Sequence, residues 1–321
     1  MRLGKLTNEQ LERLVLSKFI NTRSETVVCG EVGEDCAVLD MGGDLCVLST
    51  DPITGAGQNI GALAVHVCCN DAAACGAEPV GLLVTLLMPP TATEEEIERI
   101  ASEVSQAAVS TGVDVLGGHT EVTDAVTRPV ISAAVVAKVR RGRLITSAGM
   151  KVGDDIVMTK YAGLEGTSIL ASDYAGRLAG RLTAEELQEA QALCAHFGVT
   201  RESEVARSFG ATAMHDATEG GVLGALWELA AASGCGVEIE SAKIPVLDVT
   251  KKICATFGLD PLRLISSGVL LIACPDGAAL AARLQALGIP AAVVAKAVEG
   301  ASTVDGRLLA PPEGDELNRV R

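Results

Sequence analysis

The chain has 321 residues, 48% hydrophobic and only 2% aromatic, and a formal net charge of −15. That length suits two ordinary domains, and the apolar content excludes general disorder. The acidic balance and the shortage of stacking side chains argue against a nucleic-acid or anionic-membrane partner.

The N-terminal stretch MRLGKLTNEQLERL is polar and amphipathic, and no apolar run reaches the roughly 18 residues that span a bilayer. We therefore expect a cytoplasmic protein. The 10 cysteines contain no C-x-x-C pair and mostly sit in apolar runs, which reads as reduced core thiols.

In chain order, Thr7-x-x-Gln10 caps a first helix, and Val27–Gly30, Cys36–Asp40 and Leu45–Thr50 read as short strands. A buried, helix-like run over Ala62–Pro79 follows, with Asn70-Asp71 at its centre among small residues. An ionised Asp is almost never fully buried without a cation, a metal or dense hydrogen bonding, so Asp71 is a functional candidate. Gly81–Met88 predicts a strand, Thr93-x-x-Glu96 opens a helix that stops at Gly112, and Val113–Leu116 and Val130–Val139 complete a mixed sheet. The basic stretch Arg140–Lys151 then marks a boundary near residue 150, giving lobes 1–150 and 151–321. The second lobe offers a strand in VGDDIVMTK, helices after Thr183-x-x-Glu186 and over Gly221–Ala232, and strands at Val237–Ile239, Val269–Ala273 and Ala292–Ala295. The fold class is α+β, assembled from α/β lobes, with a ligand expected in the cleft between them.

Polar clusters recur where strand-like runs end: Gly33-Glu34-Asp35, Ser49-Thr50-Asp51, Asn70-Asp71 and Gly117-Gly118-His119-Thr120-Glu121. A further one, His215-Asp216-Ala217-Thr218-Glu219-Gly220-Gly221, opens a helix, with Asp216 or Thr218 also readable as its N-cap. Carboxylates on loops suit Mg²⁺, which takes oxygen ligands and shares them with phosphate, and glycine-rich turns can donate N–H groups to phosphate oxygens. Singly, each cluster also reads as a turn, a strand end or a surface loop; their joint order is what persuades. There is no P-loop, and Gly55–Gly61 has one residue too many for a dinucleotide fingerprint. His66 and His119 lack partners at zinc spacing, and His196 and His215 read as surface or packing residues.

Taken in order, these motifs, with Cys75-Gly76-Ala77-Glu78-Pro79, resemble the aminoimidazole ribonucleotide synthetase (PurM-like) superfamily. It also holds selenophosphate synthetase, thiamine-monophosphate kinase and the hydrogenase maturation factor HypE. Ile244-Pro245-Val246 and Gly258-Leu259-Asp260-Pro261-Leu262 look most like HypE. The resemblance implies a two-domain PurM-like fold, a sheet lobe that dimerises into a homodimer, and ATP with Mg²⁺ at the cleft. It implies Asp35, Asp51, Asp71, Glu121 and Asp216 around metal, Asn70, Gly117, Gly118, His119 and Thr120 along the nucleotide, and Asp51, Asp71 and Asp216 in catalysis. The implied reaction is ATP-dependent phosphorylation of an oxygen or related nucleophile on a small molecule. Two alternatives are a non-catalytic nucleotide-binding scaffold with a maturation-factor partner protein, and a phosphotransferase of the thiamine-monophosphate kinase type.

The chain also departs from HypE. It ends Asn318-Arg319-Val320-Arg321 where HypE ends Pro-Arg-Ile-Cys, carries Ser266-Ser267-Gly268 where HypE has Asn-Glu-Gly, and has Glu219 in place of an arginine. We therefore expect the nucleotide machinery to be retained, while these departures put HypE's thiocarbamate dehydration in doubt.

Overall fold

The computed structural model describes residues 6–19, 22–29 and 33–320. Gly30, at the end of the first expected strand, and Arg321 lie outside the described residues. The first lobe runs α1 (Asn8–Leu14), β1 (Thr26–Val28), β2 (Ala37–Asp40), β3 (Leu45–Ile53), α2 (Ile60–Ala74), β4 (Glu78–Met88), α3 (Glu94–Thr111), β5 (Asp114–Val122) and β6 (Val130–Val139). Its strands form one sheet in the order β1-β2-β3-β6-β4-β5, antiparallel except for the parallel β4–β5 pair.

The second lobe runs β7 (Asp155–Thr159), α4 (Leu164–Asp173), α5 (Ala175–Leu178), α6 (Ala184–Ala192), α7 (Thr200–Phe209), β8 (Ala213–Ala217), α8 (Gly221–Ser233) and β9 (Gly236–Ile239). It continues through α9 (Asp248–Phe257), β10 (Val269–Cys274), α10 (Gly277–Ala286), β11 (Ala291–Val298), β12 (Thr303–Val304) and β13 (Arg307–Leu308). Seven strands pair in the order β13-β12-β9-β11-β7-β10-β8. Both lobes are therefore mixed α/β, as expected.

Local chemistry explains the element ends. Thr7 and Thr183 both make capping boxes, with Gln10 and Glu186 reaching back to the cap N–H. The helix predicted to run on towards Pro79 stops at Ala74, because Gly76 takes a positive φ of 68° and turns the chain into β4.

Three strands differ from the sequence reading. β3 continues through Asp51-Pro52, pairing there with Ala133 and Ser132 of β6, so Asp51 lies inside a strand and not at its end. The β2 partners stop at Leu48, so the missing N–H of Pro52 costs no ladder bond on that side. Gly117–Glu121 is not a loop: it belongs to β5, paired residue by residue with β4. His215 and Asp216 lie in β8, and the following helix is entered through Gly220 at φ 84°, without a side-chain cap.

Helix α2 joins the two lobes. All of its residues except Ala62 and His66 are buried, as befits a helix that is apolar nearly all round. Gly61 allows its close crossing with α3, since a Cβ there would stand 2.5 Å from the Ile100 carbonyl oxygen. On the opposite side, Asn70 Nδ2 donates to Phe197 O (2.7 Å), Val199 N donates to Asn70 Oδ1 (2.9 Å), and Ser203 Oγ donates to Ala73 O (2.6 Å). Below this contact, Lys160 and Glu202 make a buried ion pair at 2.6 Å, and Lys160 Nζ also donates to the carbonyls of Gly198 and Gly268. Among the described residues, no helix is long and apolar enough to cross a membrane.

Candidate active site between the lobes

Four of the carboxylates singled out in the sequence, Asp35, Asp51, Asp71 and Asp216, meet in one cleft of about 320 Å³. Asp35 enters from the turn before β2, Asp51 from β3 and Asp71 from the last turn of α2. Across from them the second lobe contributes Asp216 from β8, Glu165 from the first turn of α4, and Asp315 with Asn318 from the C-terminal segment. Among the described lining residues there is no Lys, Arg or His. Carboxylates packed together without a cation repel each other, and a proton relieves that repulsion.

Asp71 is such a carboxyl. It is 7% exposed, and burial, then the charges of Asp216 and Asp51, push its carboxyl well above the usual carboxylate range. The Ser49 hydroxyl donates to Asp71 Oδ2. Glu34 is also raised, by burial and by the adjacent Asp35. Asp315 is pushed up to about 6, mainly by burial, although Gly220 N and Leu317 N donate to its two oxygens.

Asp35 has a different environment. His215 Nδ1 lies 2.9 Å from Asp35 Oδ1, and its Nε2 lies 3.3 Å from Glu228 Oε2. Burial alone would lower this imidazole; Asp35 and Glu228 outweigh it and raise its pKa well above the ordinary histidine value. The imidazolium therefore ties the Asp35 turn of one lobe to β8 and α8 of the other. The sequence reading gave His215 no such role, since Asp35 and Glu228 are neighbours of it only in the fold. Glu165 and Asp315 were also missed. One is a lone acid in an otherwise apolar helix start, and the other lies in a turn-rich segment with no flanking motif.

Several candidates stand outside this cleft. Asn70 is fully buried, and both ends of its amide bond second-lobe backbone, so it clamps the lobes together and does not face the cleft. Gly117, Gly118, His119 and Thr120 border a shallow groove between β5 and α3, and Glu121 follows them along the strand. Their neighbours there are Val84, Leu86, Ile100 and Val104, and β5 is exposed along its whole length. Gly118 has a packing reason of its own: a Cβ there would stand 1.7 Å from Val84 O on the paired strand. Within one chain, then, the glycine-histidine-threonine segment and the carboxylates are separate features.

No metal ion or nucleotide forms part of the structure, so the fit of Mg²⁺ rests on the donor set. Among the described residues, no three His, Cys, Asp or Glu side chains are gathered tightly enough to hold an ion unaided. Mg²⁺ is ordinarily bound by one or two carboxylates, with phosphate oxygens and water completing its shell. A cleft with acids converging from both lobes fits an ion that arrives with a phosphate ligand.

Comparison with known proteins agrees with this architecture. Residues 33–139 match the AIR synthase related protein N-terminal domain, and residues 151–306 match the corresponding C-terminal domain. Carbamoyl dehydratase HypE of Cupriavidus necator is 31% identical over 290 residues, spanning 86% of this chain and 78% of that protein. The crystal structure of E. coli HypE, a hydrogenase maturation protein, superposes with a TM-score of 0.75 at 27% identity, covering 98% of this chain and 99% of that one. A structure of hydrogenase maturation protein HypE in complex with ATP has a TM-score of 0.69 at 22% identity, covering 99% and 98%, and supports the fold alone. The chain belongs to the AIR synthase related protein family and has its two-domain, PurM-like fold.

Proposed function

We propose that this protein is an ATP- and Mg²⁺-dependent enzyme that phosphorylates, and so activates, an oxygen or related nucleophile on a small molecule. The observation that carries the proposal is the convergence of Asp35, Asp51, Asp71 and Asp216 from both lobes on one cleft whose described lining residues include no Lys, Arg or His. One relative of the same fold is a HypE in complex with ATP.

Asp35, Asp51, Asp71 and Asp216 would hold the metal, which when bound offsets the charge of the triphosphate and aligns its terminal phosphorus. The side chains do the rest by positioning. The Ser49 hydroxyl orients the Asp71 carboxyl, and His215 holds Asp35 in place. The acceptor oxygen then forms its bond to the terminal phosphorus while the bond to the departing diphosphate breaks, and the acceptor's proton passes to a carboxylate of the cleft. Positioning and charge compensation supply most of the rate in such transfers.

The assembly is a homodimer formed through β5. That strand is the outer edge of its sheet and exposes Val115, Leu116 and Val122. Unpaired apolar edges invite a second strand. Pairing there puts Gly117–Glu121 at the subunit interface, where they can meet nucleotide bound between protomers.

A second reading, a nucleotide-binding maturation scaffold with a protein partner, is favoured by one feature. Ser267 lines the cleft at the position where the resemblance to HypE expects a glutamate. An ATPase assay with Mg²⁺, run with and without a metabolite extract, tests the two. Hydrolysis or transfer stimulated by the extract supports the enzyme, whereas stoichiometric ATP binding without turnover in every condition supports the scaffold. Absence of Mg-ATP binding overturns both.

A further inference from the structure

The basic stretch Arg140–Lys151 plays no part in the acidic cleft, yet it builds a second one. Where β6 ends, Lys138, Arg140 and Arg143 face Arg207 and Ser208 at the C-terminal end of α7 across a cleft of about 640 Å³. Arg283 adds to it, with Nη2 3.5 Å from Ser208 Oγ. In a chain of net charge −15 this gathering of positive charge stands out.

Arg207 is the built part of the cleft. Its stem lies against Gly76, where a Cβ would meet Arg207 Cδ at 3.2 Å. Its Nη1 donates to Gly76 O at 2.9 Å, while its Nε is buried without a hydrogen-bond partner. These contacts fix the guanidinium at the wall of the cleft, where a charged group held in place makes strong charge-assisted hydrogen bonds to an oxyanion.

Three carboxylates also line the cleft, Asp44, Glu78 and Glu204. Glu78 is already engaged by Lys138 at 3.4 Å. The other two repel an extended polyanion such as nucleic acid or an acidic peptide, and leave a compact, locally charged group as the better fit.

We propose that this interlobe cleft binds a small phosphate-bearing molecule, with Arg143 and Arg207 holding the phosphate. The site is connected to the active cleft through α2. Ile145 N donates to Cys75 O at 3.1 Å and Arg207 Nη1 to Gly76 O, so both walls rest on the turn that ends the helix carrying Asp71.

Metal-free conditions separate the two clefts. Without a divalent ion the acidic cleft repels phosphate, so any saturable binding belongs elsewhere. Pyrophosphate is titrated calorimetrically into the full chain with a chelator present and ionic strength held constant by KCl. The expected result is one site per chain, weakened about tenfold in Arg143→Ala and in Arg207→Lys, which keeps the charge but loses the fork, and unchanged in Asp71→Asn. No saturable binding, equal binding in both arginine variants and the wild type, or loss in Asp71→Asn would each overturn the proposal. Mg-ATP binding, lost in Asp71→Asn but retained in Arg143→Ala, is read separately, so failure of one site does not pass for failure of the other.

Discussion

Replacing Asp71 by Asn removes a charge while changing almost no volume. In the metal-free protein burial and the neighbouring Asp216 and Asp51 charges push the wild-type carboxyl well above its ordinary range and so favour its neutral form. An amide oxygen can accept the same bond from the Ser49 hydroxyl. The stability cost is therefore at most that of one hydrogen bond, about 1 kcal/mol, or a few degrees in Tm. Binding responds differently. A divalent ion and a carboxylate about 4 Å apart attract by about 2 kcal/mol even when screened as in bulk water, a difference of roughly 30-fold in affinity that is fully present only above the raised Asp71 pKa. The pH dependence follows from the same proton. Metal must displace it, so wild-type Mg-ATP affinity rises as pH climbs through the raised Asp71 pKa, and the Asp71→Asn variant, which has no such proton, loses that rise. Thermal melting with calorimetric titration in buffers of different ionisation enthalpy reads all three effects. A variant that melts normally and binds Mg-ATP with wild-type affinity removes Asp71 from the site. A variant that cannot fold refutes the assignment of a proton to it.

Three further outcomes are expected. His215→Gln should lose about 3 kcal/mol below neutral pH, where the imidazolium pairs with Asp35 and Glu228. Because the folded pKa is raised above the unfolded one, that difference shrinks as pH rises through the folded value, and a gap constant across a series of denaturant melts would contradict the ion pair. Asp315, pushed up to about 6, makes the wild type lose stability as pH rises from its ordinary value through about 6, a total of about 3 kcal/mol. Asp315→Asn should therefore gain on the wild type across that window in paired melts, and parallel pH profiles would show that burial of Asp315 is not the cause. Gly118→Ala, with its Cβ 1.7 Å from Val84 O, should break the β4–β5 pairing and lose more than about 3 kcal/mol together with any dimer. Gly117→Ala meets nothing within 4 Å and should cost less, as melting and size-exclusion would show; equal effects would contradict the clash.

The fold was legible in the sequence because its signals are local. Capping boxes at Thr7 and Thr183, the Gly112 stop after an amphipathic helix, and β-branched runs such as Val130–Val139 mark elements wherever the chain later places them. Asp71 was legible for a related reason, since an acid in a helix buried nearly all round contradicts its surroundings whatever packs against it. Asn70 shows the limit. The same logic pointed to a ligand, but its amide is satisfied by the backbone at Phe197 and Val199, more than a hundred residues away in sequence. His215 escaped for the converse reason. Nothing beside it in the strand AMHDA is charged except Asp216, and the acids that raise its pKa come from a distant turn and from the next helix.

Gly117-Gly118 brings both readings together. As a sequence it reads as a phosphate-binding turn; in the fold it is an extended edge strand whose second glycine is needed by the Val84 backbone. These demands do not exclude each other, because they act on different faces of one strand. The inner edge of β5 pairs with β4, and its outer edge has no partner strand among the described residues. His119 and Glu121, exposed and 3.3 Å apart, sit on that same strand, so polar side chains and unpaired backbone groups are presented together. A single chain thus holds the acidic half of the expected site in its interlobe cleft and the glycine-histidine-threonine half on a free edge. The proposed dimer through β5 would bring both halves to one nucleotide if it set one chain's edge beside another's cleft, so measuring the oligomeric state also tests the proposed chemistry.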